Sequence, residues 1–230
     1  MAERRKGTMS SSNLVPPTHQ AKQAAGLAGL ITVGAVVYAV AALAVLHLLR
    51  PEYDPVARVI SNYAVGPYGF LMTAVFFALA IGMLSSAFGI YKGVVPVARS
   101  AGGLTLLVLA SVGGMLVALF PTDVTPEDLP ITTVGITHVL ASVASLACFV
   151  VASLLLSRRF KNDERWSSLQ PTLWALALTG LAAFVAYFAI KALNLPIVGI
   201  AQRVSYAIVL LWLLLTGNHL RSVHSQSAKG

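Results

Sequence analysis

Charge is what this chain has least of. Charged residues make up 10% of it, where a soluble domain carries about 25%. Hydrophobic residues make up 57%. The imbalance excludes an ordinary soluble domain and places the chain among polytopic membrane proteins. Acidic side chains number only eight, and none lies inside a long apolar run. The runs also lack mid-membrane Pro breaks, and the two halves share no matching motifs. Ion-coupled carriers normally need such features, so active transport is disfavoured. Cysteine occurs once, as Cys148 within an apolar run. An intramolecular disulfide is excluded, and the residue reads as a small buried hydrophobe. Two hydrolase signatures are missing as well, the Gly-x-Ser-x-Gly elbow and the His-Glu-x-x-His pair.

What is present is six apolar runs, 24–49, 68–91, 97–119, 134–156, 171–193 and 200–219. Each approaches or exceeds the ~20 residues that cross ~30 Å of hydrocarbon. The predicted fold is an all-α bundle of six transmembrane helices over residues 24–219, with a short interfacial helix between spans 1 and 2. Residues 1–23 read as a disordered basic tail and 220–230 as a second tail. The first run exceeds the ~7–15 residues of a signal-peptide core, so it is expected to stay as an anchor.

Lys and Arg set the orientation. Twelve of the sixteen fall on the side of the termini, and four on the other, namely Arg50, Arg58, Lys191 and Arg203. This bias puts both termini in the cytoplasm, with the protein expected in the cell membrane. The net charge of +8 sits in short loops and tails, so no nucleic-acid partner is expected. Trp166, Trp174 and Trp212 fall near the cytoplasmic boundary, where an aromatic belt would lie. Small residues recur every fourth position at Ala74, Ala78, Gly82 and Ser86, at Ala110, Gly114 and Ala118, and at Ala175, Thr179 and Ala183. Such rows let helices approach closely in lipid, and they also allow a homo-oligomer or a membrane-protein partner.

The polar stretch Asp54–Gly69 organises the rest. Asp54-Pro55 is a helix start. At ~100° per residue, Val56, Val59, Ile60 and Tyr63 share one face, and Asp54, Arg58 and Ser61 the other, with Asn62 at its edge. An amphipathic helix on the membrane surface is predicted, with an Asp54–Arg58 pair across one turn. Gly66-Pro67-Tyr68-Gly69 ends it. Five of the eight carboxylates share this side, at Glu52, Asp54, Asp123, Glu127 and Asp128. His47 ends the first span, His138 lies one turn inside the fourth, Lys191 lies just inside the end of the fifth, and Gln202 and Arg203 open the sixth. Thr125-Pro126-Glu127-Asp128 reads as a capped helical turn. An intramembrane histidine faces a bundle interior or a wet cavity, either as a site group or as a bond to a neighbouring helix.

Ser61-Asn62-Tyr63 before Gly66-Pro67-Tyr68-Gly69, then Phe120-Pro121-Thr122-Asp123, then Gly135-Ile136-Thr137-His138, resembles the membrane family called domain of unknown function 998. The likeness runs from about His47 to His219. It implies a six-helix membrane protein, carries no assigned reaction or cofactor, and directs attention to Ser61, Asp123 and His138.

Three functional readings follow. In the first, an outward-facing polar vestibule binds a membrane-lipid headgroup or small amphiphile. Arg58 and Arg203 hold an anion, with Ser61, Asn62 and Gln202 as neutral partners and Tyr63 and Tyr68 beside the headgroup. In the second, the site is a hydrolase with Ser61 as nucleophile, His138 as base and Asp123 as its orienting partner. A metal version uses His47, Asp123 and His138 as ligands. In the third, the chain is an assembly subunit without ligand chemistry.

Overall fold

A computed structural model of the protein describes residues 17–124 and 132–226. The expected turn at Thr125–Asp128 lies outside the described residues, as do Arg4, Arg5, Lys6 and Lys229. Among the described residues there is no strand. The helices are α1 (His19–Leu49), α2 (Gly69–Gly93), α3 (Ala101–Leu119), α4 (Thr133–Phe160), α5 (Glu164–Ser167), α6 (Gln170–Ala192) and α7 (Val198–Gln226). All but the short α5 are long and apolar enough to cross a membrane.

The helices stop and start where their caps allow. α1 begins at His19 rather than Ala24 because Thr18 Oγ1 accepts from Ala21 N at 3.3 Å. α3 begins at Ala101 rather than Val97. Pro96–Ala98 forms a 3₁₀ turn first, and Ser100 Oγ then caps Gly103 N at 3.1 Å. α7 continues past His219 to Gln226.

The six long helices close into a ring. α1 packs on α2, α2 on α3, α3 on α4, α4 on α6, α6 on α7, and α7 back on α1. α2 also meets α7 across the ring, which leaves α1 behind them both. A Cβ on Gly29 of α1 would strike Gly217 of α7, while His47 meets Arg203 at the opposite end. The two helices are therefore antiparallel, and both ends of the described chain lie at one end of the bundle.

Two of the three small-residue rows are packing surfaces inside the ring. Gly82 and Ser86 are buried against α1, where Thr32 Oγ1 lies 3.1 Å from Ser86 Oγ and 3.2 Å from Gly82 O. Ala110, Gly114 and Ala118 are buried between α2 and α4, where Ser145 Oγ donates to Ala110 O at 2.7 Å and Ser111 Oγ to Ala80 O at 2.8 Å. Interhelical bonds of this kind are worth about 0.6–1.7 kcal/mol each. The third row is different, because Ala175 and Thr179 on α6 are exposed. α6 buries only Leu173 and Ala177, both in its first turns. Its other half stands away from its neighbours.

The tryptophans do not form a belt. Trp166 and Trp212 are buried, and only Trp174 is partly exposed. Trp212 Nε1 donates to Ser157 Oγ at 3.0 Å, joining α7 to α4. Trp166 packs between Phe160 and His219. Beside it the buried Asp163 accepts from Val95 N at 3.0 Å and from Arg165 Nη2 at 2.7 Å. Arg165 Nη2 also donates to Gly93 O. These bonds lock the α2–α3 loop to the α4–α6 loop at the end of the bundle that holds the termini.

Candidate functional site

The stretch after α1 is not one amphipathic helix. Residues 55–57 form a turn, closed by Arg58 N donating to Asp54 O at 2.8 Å. Val59 is extended, and a separate 3₁₀ helix follows at Ile60–Ala64. The break has a physical cause. The 55–58 turn sits on the N-terminus of α7, whose free N–H groups need acceptors. Ile200 N donates to Val56 O at 3.1 Å. Gly199 makes this possible, because a Cβ there would fall on the carbonyl oxygens of Pro55, Val56 and Arg58.

Arg203 finishes that joint with Nε and Nη1, while its buried Nη2 has no partner among the described residues. Its Nη1 donates to Pro55 O and Arg58 O, each at 2.7 Å, and its Nε to His47 Nε2 at 3.2 Å. His47 Nδ1 donates to Leu43 O at 2.6 Å, since a carbonyl can only accept. Both nitrogens of His47 are thus committed. Arg58 is exposed and makes no ion pair with Asp54. Asp54 Oδ1 instead accepts from Val56 N at 2.9 Å. Tyr63 is buried, its ring tilted against His47 and edge-on to Tyr53, and Asn62 is buried next to it. Tyr68 is exposed at the turn into α2.

Asp123 and His138 also part company. Asp123 Oδ2 accepts from Thr132 N and Oδ1 from Thr132 Oγ1, both at 2.8 Å. Thr132 in turn caps Gly135 N at 3.0 Å. The carboxylate leans over Gly135 so closely that a Cβ would overlap it. Asp123 is a brace for the start of α4. His138 Nδ1 donates to Phe120 O at 2.7 Å, so a main-chain carbonyl orients the ring where Asp123 was expected to. The proton on Nδ1 leaves Nε2 with a free lone pair. Among the described residues no three His, Cys, Asp or Glu side chains gather, so His47, Asp123 and His138 do not form a ligand set.

What the ring encloses is a cavity of about 490 Å³ between α2, α3, α4, α6 and α7. Small-molecule sites run to about 300–1,000 Å³. His138 lines it together with Ser61 and Gln202, while Arg58, Asn62, Tyr63, Asp123, Arg203 and His47 do not. At the end carrying residues 50–68, 120–124 and 193–197 the lining mixes Ser61, Thr122, Lys191, Asn194 and Gln202 with Val59, Leu195 and Val198. Further along the helices it becomes apolar, through Phe76, Met83, Phe149, Val209 and Leu213. Ser142, Tyr187 and Tyr206 stand between the two zones.

Several of these residues carry no site role in the sequence reading, although a signal exists. His138, Ser142, Ser145 and Phe149 follow 4–3–4 spacing, which is one face of a helix. Val198, Gln202, Ser205, Val209 and Leu213 do the same on α7. Sequence periodicity finds such faces but does not say whether they meet a neighbour or a space.

The fold and the cavity define an all-α membrane protein with six helices of spanning length around an internal site. The chain matches the family model described as "protein of unknown function (DUF998)" over residues 32–219, and it belongs to that family. No curated protein and no solved structure matches it.

Proposed function

We propose that the protein binds an amphiphile in the cavity of the ring. The polar end lies toward Ser61, Gln202 and Lys191, and the chain lies along Met83, Phe149 and Leu213. One observation carries this reading: one cavity gathers Ser61, Lys191, Asn194 and Gln202 at one end and is lined by Phe76, Met83, Phe149 and Leu213 further along. Apolar walls with a few placed polar groups are how small-molecule sites gain both affinity and orientation. The 12-to-4 split of Lys and Arg turns the mouth to the non-cytoplasmic face of the cell membrane, with both termini in the cytoplasm. The ligand is then drawn from membrane lipid or from the outer interface. Of the candidate binding residues, Gln202 and Ser61 line this cavity and Arg58 and Arg203 do not.

The test is a thermal-unfolding series on the purified protein with single-chain amphiphiles of increasing length. Ligands that bind only the folded state raise the unfolding temperature in proportion to occupancy. The series is expected to stabilise the wild type. Ser142→Trp, which fills the middle of the cavity, is expected to remove the effect. Equal shifts in both proteins would contradict the reading.

A hydrolytic reading keeps one supporting observation. Ser61 and His138 line the same cavity, and His138 Nε2 is left free to take a proton. Asp123 has no part in it. A serine-directed phosphonate probe that labels Ser61 in the wild type but not in His138→Ala would favour this second reading. No labelling in either would remove it.

A further inference from the structure

We infer that the head of the bound amphiphile is an anion, a carboxylate or a phosphate on one alkyl or isoprenoid chain, held by Lys191 and the Gln202 amide. This deepens the reading of the cavity as an amphiphile site and rests on it.

Charge comes first. Among the described residues that line the cavity, Lys191 carries a positive charge and none is Asp or Glu. The five carboxylates on this side of the sequence are elsewhere or outside the described residues. Asp54 bonds Val56 N, Glu52 bonds Arg50, and Asp123 bonds Thr132. A cationic head would meet only Lys191, while an anionic head meets its counter-ion.

Hydrogen-bond polarity points the same way. Ile60 N donates to Gln202 Oε1 at 2.6 Å. A backbone N–H can only donate, so the atom it meets must be the amide oxygen. The Gln202 NH₂ is thereby left to donate, and Gln202 lines the cavity. The hydroxyls of Ser61, Tyr187 and Tyr206 line it too, and none of them bonds another described residue. Lys191 Nζ likewise has no protein partner among the described residues. The mouth is rich in donors, as sites for charged acceptor oxygens are.

Size limits the chain count. A cavity of about 490 Å³ is of the size that takes one small molecule, room for one chain with its head beside Lys191. The outer half of α6, which carries Tyr187 and Lys191, is the least packed wall of the cavity. A chain entering from the bilayer would pass there and meet Lys191 first.

The experiment is equilibrium binding to the purified full-length protein, with three probes of equal chain length: dodecyl phosphate, dodecanoate and dodecanol. Both anions are expected to bind about tenfold or more tighter than the alcohol, the size of one charge-assisted bond. Whichever anion binds tighter identifies the head as phosphate or carboxylate. Lys191 is exposed, so Lys191→Met is expected to fold, to lose the preference for anions and to keep dodecanol binding, while Lys191→Arg keeps the preference. Gln202→Glu retains an oxygen for Ile60 N–H but replaces the donor with negative charge, so it is expected to weaken the anions alone. Equal binding of all three probes, or a preference that survives Lys191→Met, overturns the anionic head while the amphiphile site stands. No binding of any probe overturns both.

Discussion

Arg203 Nε donates to His47 Nε2 across 3.2 Å, tying the start of α7 to the end of α1. The same guanidinium holds two carbonyls of the 55–58 turn. A residue that sequence alone assigns to an anion also clamps the 55–58 turn to the start of α7. Arg203→Ala is expected to cost about 1–2 kcal/mol, since it removes the donor shared by the Pro55 and Arg58 carbonyls and by His47. Arg58→Ala, with its exposed side chain, is expected to stay within about 0.5 kcal/mol of wild type. Unfolding of the two variants in detergent, followed by circular dichroism, checks the contrast.

Asp123 separates bracing from catalysis in the same way. Asp123→Ala is expected to cost about 1–2 kcal/mol, through loss of its bonds at the start of α4. Ligand affinity should be unchanged, because the carboxylate does not line the cavity. Gly135→Ala is expected to destabilise too, because its Cβ would push the carboxylate off Thr132. Unfolding and binding measured on one preparation of each variant distinguish this from a catalytic aspartate.

The loop between α1 and α2 should respond to acid through Glu52. Its hydrogen bond from Arg50 holds its carboxyl below the ordinary value of 4.5. Arg50 Nη1 also grips Val65 O at 2.9 Å and Pro67 O at 2.8 Å. A carboxyl whose folded pKa is depressed stabilises the fold above its unfolded pKa and loses that contribution as pH falls through its folded one. Stability is therefore expected to be flat above the ordinary value and to decline below it. Glu52→Gln should flatten the part of the decline that this group causes. Unfolding midpoints from pH 7 down to pH 3 for the two proteins give the comparison.

Threading is tested by single cysteines in a Cys148→Ala background. Leu195→Cys, in the exposed loop between α6 and α7, is expected to react with an impermeant thiol reagent in intact cells. Ser222→Cys, exposed near the end of α7, should react only after permeabilisation. The reverse pattern would invert the orientation taken from Lys and Arg.

The six spans were legible because length and composition alone decide whether a helix can cross a bilayer. The rows through Gly82 and Gly114 were legible because close packing in lipid needs small residues. The site was only partly so. Sequence cannot show that carbonyls of the 55–58 turn, docked on the start of α7, engage Arg203, or that Arg58 stays outside the cavity. Asp54 to Asn62 fits a helical wheel, but docking on α7 splits it at Val59. His138, Ser61 and Gln202 do reach one cavity. Lys191, Ser142 and Tyr206 join them through the stand-off of α6, a tertiary feature with no local sequence mark.

Native mass spectrometry of the protein released directly from membranes tests the amphiphile site most directly. One amphiphile-sized adduct per chain is expected on the wild type, absent from Ser142→Trp. A wild type that emerges bare, or an adduct that Ser142→Trp retains in full, would contradict the account.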